Sequence, residues 1–413
     1  MDFFNRYKKI FLIIGFLVLC FLMAYLIYTL FFKQAFSPLQ KPENRDTSVP
    51  GGTFPNANEG PGNIISEEEA KRTEDEAHQI FPEASDVALG GLTKTKTLDD
   101  SPALAPTLSS DGSSLKYYDQ NENKFYQIDK YGEKKLLSDK IFHNVESVAW
   151  SNKTNKAVLE YPDGANIVYD FDKQTQTTLP AHWKEFEFAP NSDQIVMKSM
   201  GQNEENRWLA IVNDNGSKVR AIEALGDKDD TVYPNWSPNG EFVAMFTEGK
   251  GFDQQELYFV GLNNENFKST TIEGRGFKPL WNQEGNRLLY SVYSSENEMK
   301  PELWIVDAQG DSISNNRQKL NIETWADKCA FSNNTELYCA VPQNLEKGAG
   351  LFPELADNSI DHLYKINTKT GLKKLIAIPD QNFNISNLII SEDNHYIYFT
   401  DKLDGSLHQI KLR

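Results

Sequence analysis

The sequence has little of what many function classes require. Three cysteines in 413 residues cannot frame a disulfide-stapled scaffold or a zinc ribbon. Lysine and arginine total 42 against 59 acidic residues, a formal charge of −17. The basic footprint that phosphate contacts need is missing, so nucleic acid is not an expected partner. Six histidines (His78, His143, His182, His362, His395 and His408) are scattered, and no two stand at metal-ligand spacing. There is no G-x-S-x-G elbow and no long α/β region to carry a hydrolase domain. The sialidase Asp-box is absent; its nearest string, "SSDGSSL" from Ser109, lacks the tryptophan. "NDNG" at Asn213 and "DAQGD" at Asp307 lack the full EF-hand pattern, and tight hairpins explain their Asn, Asp and Gly. No catalytic, cofactor-binding or metal-ligating residue is expected, and no cofactor.

What is present begins with an uncharged apolar run, "IFLIIGFLVLCFLMAYLIYTLFF", residues 10–32. At about 1.5 Å per residue a helix of this length crosses a hydrocarbon core of roughly 30 Å. It exceeds the apolar core of a cleaved signal peptide, about 7–15 residues, and no small-x-small site follows. A single-pass signal anchor is expected. Arg6, Lys8 and Lys9 precede it, which places the tail 1–9 in the cytoplasm and the rest of the chain outside. Residues 33–65 are rich in Pro, Gly and Asn and read as a flexible linker. Ser66 and Glu69 form a capping box and Pro82 a stop, predicting a short helix within 66–82.

From residue 87 to 413 one unit recurs: an anchor residue, a tight turn, then a strand. "PNWSPNGEFVAMFT" at Pro234 is the clearest copy. The equivalent anchors are Leu108, Trp150, Phe188, Trp236, Trp281, Phe331 and Ile390, spaced by 42, 38, 48, 45, 50 and 59 residues. Such periods suit one four-stranded blade per copy. Pro238, Asn239 and Gly240 predict a three-residue hairpin with a bulge at the glycine. Trp236 is expected on the inner strand, packed between blades. The last copy has only three strands, and "LGGLTKTKTL" from Leu89 is the spare segment expected to complete it. The expected fold is all-β: a seven-bladed β-propeller whose N-terminal strand closes the last blade, preceded by one transmembrane helix and a tether.

"PNWSPNGEFVAMF" with "ELYFVGLNNENFKSTTI", and "PLWNQEGNRLLYS" with "ELWIVDAQGDSI", resemble the WD-like propeller repeats of the TolB family. That family's pattern is P-x-W-S-P-D-G-x-x-I-A-F, then a strand ending in D-x-x-G. The resemblance covers residues 89–413 and weakens in the sixth copy, where Thr335 replaces the turn glycine. It implies a propeller that binds proteins outside the cytoplasmic membrane, often without catalysis. The anchor and tether depart from a soluble periplasmic member, so the partners of such members do not transfer.

Cys329 and Cys339 flank the sixth turn. A three-residue turn would set them directly opposite, close enough for a disulfide in an oxidising compartment. The alternative is two small buried thiols.

Connections between second and third strands emerge on one face of a propeller, where ligands commonly bind. Here they carry 17 acidic and 6 basic residues, most of the chain's excess charge. Such a field favours a basic partner, with Glu248, Asp253, Glu296 and Glu298 as candidate contacts. Charge kept only for solubility is the alternative. The longest connection, residues 342–362, holds an apolar cluster with Leu351, Phe352 and Leu355. A loop of that size is often functional, although these side chains could instead fold back onto the blade. The sequence thus points to a non-enzymatic protein-binding or scaffold module at the cell envelope. A propeller hydrolase, lyase or glycan-binding lectin using the central face is the second reading.

Overall fold

Strand patterning between residues 91 and 411 resolves into seven sheets. The computed structural model describes residues 83–413 and, in an N-terminal unit covering Met1–Asp75, six helical positions between 16 and 25. The rest of the expected span at 10–32, the linker at 33–65 and the helix at 66–82 lie outside the described residues. Among those described, no helix is long and apolar enough to cross a membrane.

Each sheet is one blade of an all-β, seven-bladed propeller. The second strand of a blade is nearly all buried, as in Leu115–Asp119, because it meets a neighbouring blade on both faces. Seven apolar clusters result, one at each interface between blades. The ring closes where Tyr398 and Leu407 of blade 7 pack on Leu115, Tyr117 and Ile128 of blade 1. No blade could bury both its faces alone, so the ring is the unit of stability.

The closing segment does two jobs. Strand β1 (Gly91–Thr93) and strand β2 (Lys96–Asp99) pair with different blades. β2 is the outer strand of blade 7, antiparallel to Leu407–Lys411, as expected. β1 instead lies parallel along Lys373–Pro379 and gives blade 6 a fifth strand. The reason is direction: the segment runs the same way past both blades, so it is antiparallel to the third strand of blade 7 and parallel to the fourth strand of blade 6.

Two expectations about the repeat need correction. Six of the seven inner hairpins have four-residue loops, closed by bonds such as Ser237 N–H to Phe242 O at 3.0 Å. An Asx turn accommodates the extra residue: Asn239 Oδ1 accepts from Glu241 N–H at 3.0 Å. Gly240 takes a φ of +74° within that loop. Only the sixth hairpin has the three-residue form, closed from Ser332 N–H to Glu336 O at 3.0 Å. There Asn333 Oδ1 accepts from Thr335 N–H at 2.9 Å, which replaces the need for glycine. Second, Trp236 lies just beyond its strand, which ends at Pro234. Its N–H is drawn off by the Glu187 carboxylate of blade 3 at 2.8 Å. Its ring still fills the interface of blades 3 and 4.

Cys329 and Cys339 stand directly opposite in the register of blade 6, with sulfurs 2.12 Å apart in a disulfide.

Candidate functional site

The connection between second and third strands of blade 6 spans residues 343–360 and is built to stay in one place. Gly348 N–H donates to Glu298 O at 2.8 Å, and Gly350 N–H to Met299 O at 2.7 Å, tying it to blade 5. Gly350 is required there, because a Cβ would sit 2.5 Å from that of Tyr293. Toward blade 7, Asn384 Nδ2 donates to Ala356 O at 2.9 Å and to Asp357 O at 2.8 Å. Lys402 pairs with Asp357 at 2.5 Å. Pro353–Ala356 form a single 3₁₀ turn. Trp325, Leu345, Ala349 and Ala356 make a small core beneath it.

On this fixed loop Leu351, Phe352 and Leu355 remain 45%, 52% and 42% exposed. They do not fold back onto the blade. Ile360 at the end of the loop is also exposed, as is Leu403 on the adjoining connection of blade 7. Apolar side chains on one face are thus carried to solvent by a backbone already ordered. Most of the entropy of arranging such a surface has been lost on folding, not on binding.

Under the loop lies a polar cluster that sequence reasoning missed. Lys328 Nζ donates to Asp361 Oδ2 at 2.6 Å and to Asn384 Oδ1 at 2.8 Å. Asp361 Oδ2 also accepts from Ile385 N–H at 2.7 Å. Asp361 is wholly buried and Lys328 nearly so. Burial holds the carboxyl above its ordinary range and the ammonium below its own, while their mutual attraction opposes both shifts. The cluster fastens the first strand of blade 7 and the end of the loop to blade 6. Its signal in the sequence is weak: a lysine beside the first cysteine, "DKC", where other copies carry no common charge.

The four candidate acids are not equally available. Glu248 pairs with Lys228 at 2.5 Å. Glu298 pairs with Lys347 at 2.5 Å and lies 3.7 Å from Lys300. Asp253 accepts from Ser295 N–H at 3.0 Å and from the Ser295 hydroxyl, joining blades 4 and 5. Glu296 is exposed. Asp253 and Glu296 come together with Phe252 and Trp304 around a cleft of about 410 Å³ between the two blades. Glu298 stands apart from them, against the sixth-blade loop. Exposed pairs of this kind contribute little and are screened by salt, so the field of this face is weaker than the acid count implies.

Glu187 was also missed. It sits on an innermost strand where burial pushes its carboxyl up to about 8, opposed by the Trp236 N–H. Its surface exposure is only intermediate, yet among the described residues no cation lies at hydrogen-bond distance from the carboxyl, which accepts from the Trp236 N–H. An acid beside the anchor in "FEFAP" was the available clue. Among the described residues, His143 and His182 included, no three His, Cys, Asp or Glu side chains cluster as metal ligands.

Compared by sequence, the chain matches no family model and no curated protein. Compared by structure, it is similar to many propellers. An oligogalacturonate lyase in complex with manganese superposes with a TM-score of 0.55 at 13% identity, covering 77% of this chain and 93% of that one. The Cps50 (Swd1) propeller domain of Myceliophteria thermophila gives 0.52 at 11% identity, covering 77% and 100%. An oligogalacturonate lyase from Vibrio parahaemolyticus gives 0.51 at 10% identity, covering 77% and 93%. At these identities the likeness shows the propeller fold and nothing finer.

Proposed function

We propose that the chain is a TolB-like propeller, anchored in the cell membrane by residues 10–32, that binds a protein partner outside the cytoplasm without catalysing a reaction. One observation carries this reading: Leu351, Phe352 and Leu355 are held exposed on a loop that both neighbouring blades pin down. Small exposed apolar groups on a preordered frame are what a protein interface uses as its anchor. Acids on the same face, Glu296 above all, add a preference for a basic partner surface. The lyase reading borrows its chemistry from neighbours alike only in fold, and no trio of metal-ligating side chains among the described residues supports it.

Crosslinking and capture of the tagged full-length protein from native membranes tests the proposal. A discrete partner, lost when Phe352→Ala and Leu355→Ala are combined, is the expected result. Equal recovery with the double variant would overturn it.

A further inference from the structure

The largest concavity on the propeller axis among those described opens on the other face, where the inner hairpins turn. It measures about 520 Å³ and is lined by residues from blades 1, 2, 5, 6 and 7. That size lies within the range of small-molecule sites, roughly 300–1,000 Å³. Its chemistry differs from the rest of the surface. In a chain of net charge −17, the lining has one ionisable side chain, Glu392. Glu392 is held by its N–H, which donates to Gly112 O at 3.1 Å, and its side chain lies over Gly112, where a Cβ would collide with it.

Everything else in the wall is a hydroxyl, an amide or an apolar face. The Ser109 hydroxyl group belongs to a residue only 8% exposed, and Asn152 lines the same cavity from the next blade. Asn394 holds its side-chain oxygen buried with no hydrogen-bond partner. An unpartnered buried amide oxygen is costly unless a ligand or ordered water donates to it. Between these groups, Leu108, Phe331 and Ile390 expose apolar surface from three inner strands.

We propose that this axial cavity binds a neutral saccharide. A sugar ring presents hydroxyls that both donate and accept, which serine and asparagine side chains match, and a C–H face that packs on apolar side chains. A basic peptide would find one carboxylate there, and an anionic polymer no cation. The site is remote from the sixth-blade loop, so it stands or falls independently of the partner reading.

The test uses the full-length chain in phosphatidylcholine nanodiscs and saturation-transfer NMR. The probes are maltose, cellobiose, lactose and chitobiose, with digalacturonic acid and pentalysine as charged controls. At least one neutral disaccharide is expected to saturate, and the charged controls not to. Asn152→Ala combined with Asn394→Gly is expected to weaken that binding at least about ten-fold. Glycine is chosen at 394 because its φ is +56°. Ile141→Ala, at an exposed residue outside the cavity, is expected to leave it unchanged. No saturable neutral sugar, equal binding of a charged control, or binding indifferent to the cavity variants would overturn the proposal.

Discussion

Lys328 Nζ and Asp361 Oδ2 lie 2.6 Å apart beneath the sixth-blade loop, with both side chains out of solvent. The pair joins the 3₁₀ turn that leads into the first strand of blade 6 to the strand that follows the loop. It explains how a long connection keeps a single shape while presenting apolar side chains outward.

Removing one partner leaves the other charge buried and unpaired. Asp361→Asn or Lys328→Met is therefore expected to cost about 3–5 kcal/mol, measured by denaturant unfolding. Replacing both with apolar residues of similar volume is expected to cost far less. A single variant as stable as the parent would show that the pair is not desolvated as described.

Glu187 sets a pH dependence with a definite sign. Its folded value is raised to about 8 from an ordinary 4.5. Between those values the folded state holds a proton that the unfolded state has lost, so stability falls as pH rises. The contribution is fully present below 4.5 and is lost as pH passes through about 8. Glu187→Gln is expected to flatten this fall in unfolding experiments between pH 5 and about 9. An unchanged profile would contradict it.

The blade count, the closing strand of blade 7 and the opposed cysteines were legible because each rests on local pattern: a repeated anchor, a turn and a two-residue alternation. The four-residue loops were not, since a Pro-Asn-Gly string does not fix which residues close the hairpin, here Ser237 and Phe242. β1 was not legible either, because a fifth strand on blade 6 has no counterpart in the repeated four-stranded unit. At the candidate site the loop could be read from length and apolarity. Its pinning could not, because Asn384, Lys402 and Asp361 come from separate copies that only the ring brings together.

Reduction tests the sixth blade. Closing so short a loop contributes about 2–3 kcal/mol in the chain-entropy account, so a reductant should lower stability by that amount. Thiol titration of the unfolded, unreduced chain should find one free cysteine of the three, Cys20. Three free thiols would refute the bridge.

β2 carries the ring closure. Leu98 is 8% exposed at the interface of blades 7 and 1, and Leu98→Ala is expected to cost about 2–5 kcal/mol. Leu89→Ala, at a residue 77% exposed, should change stability by less than about 0.5 kcal/mol. Thermal unfolding of the two variants separates a closing strand from a loose terminal segment.

The most direct measurement places a photoreactive amino acid at position 352 in the full-length protein, irradiated in native membranes. The control position is 131, where Tyr131 is 69% exposed on another part of the propeller. A discrete adduct at 352 and none at 131 is the predicted result. No adduct at 352, or the same adducts at both positions, would contradict a partner surface on the sixth-blade loop.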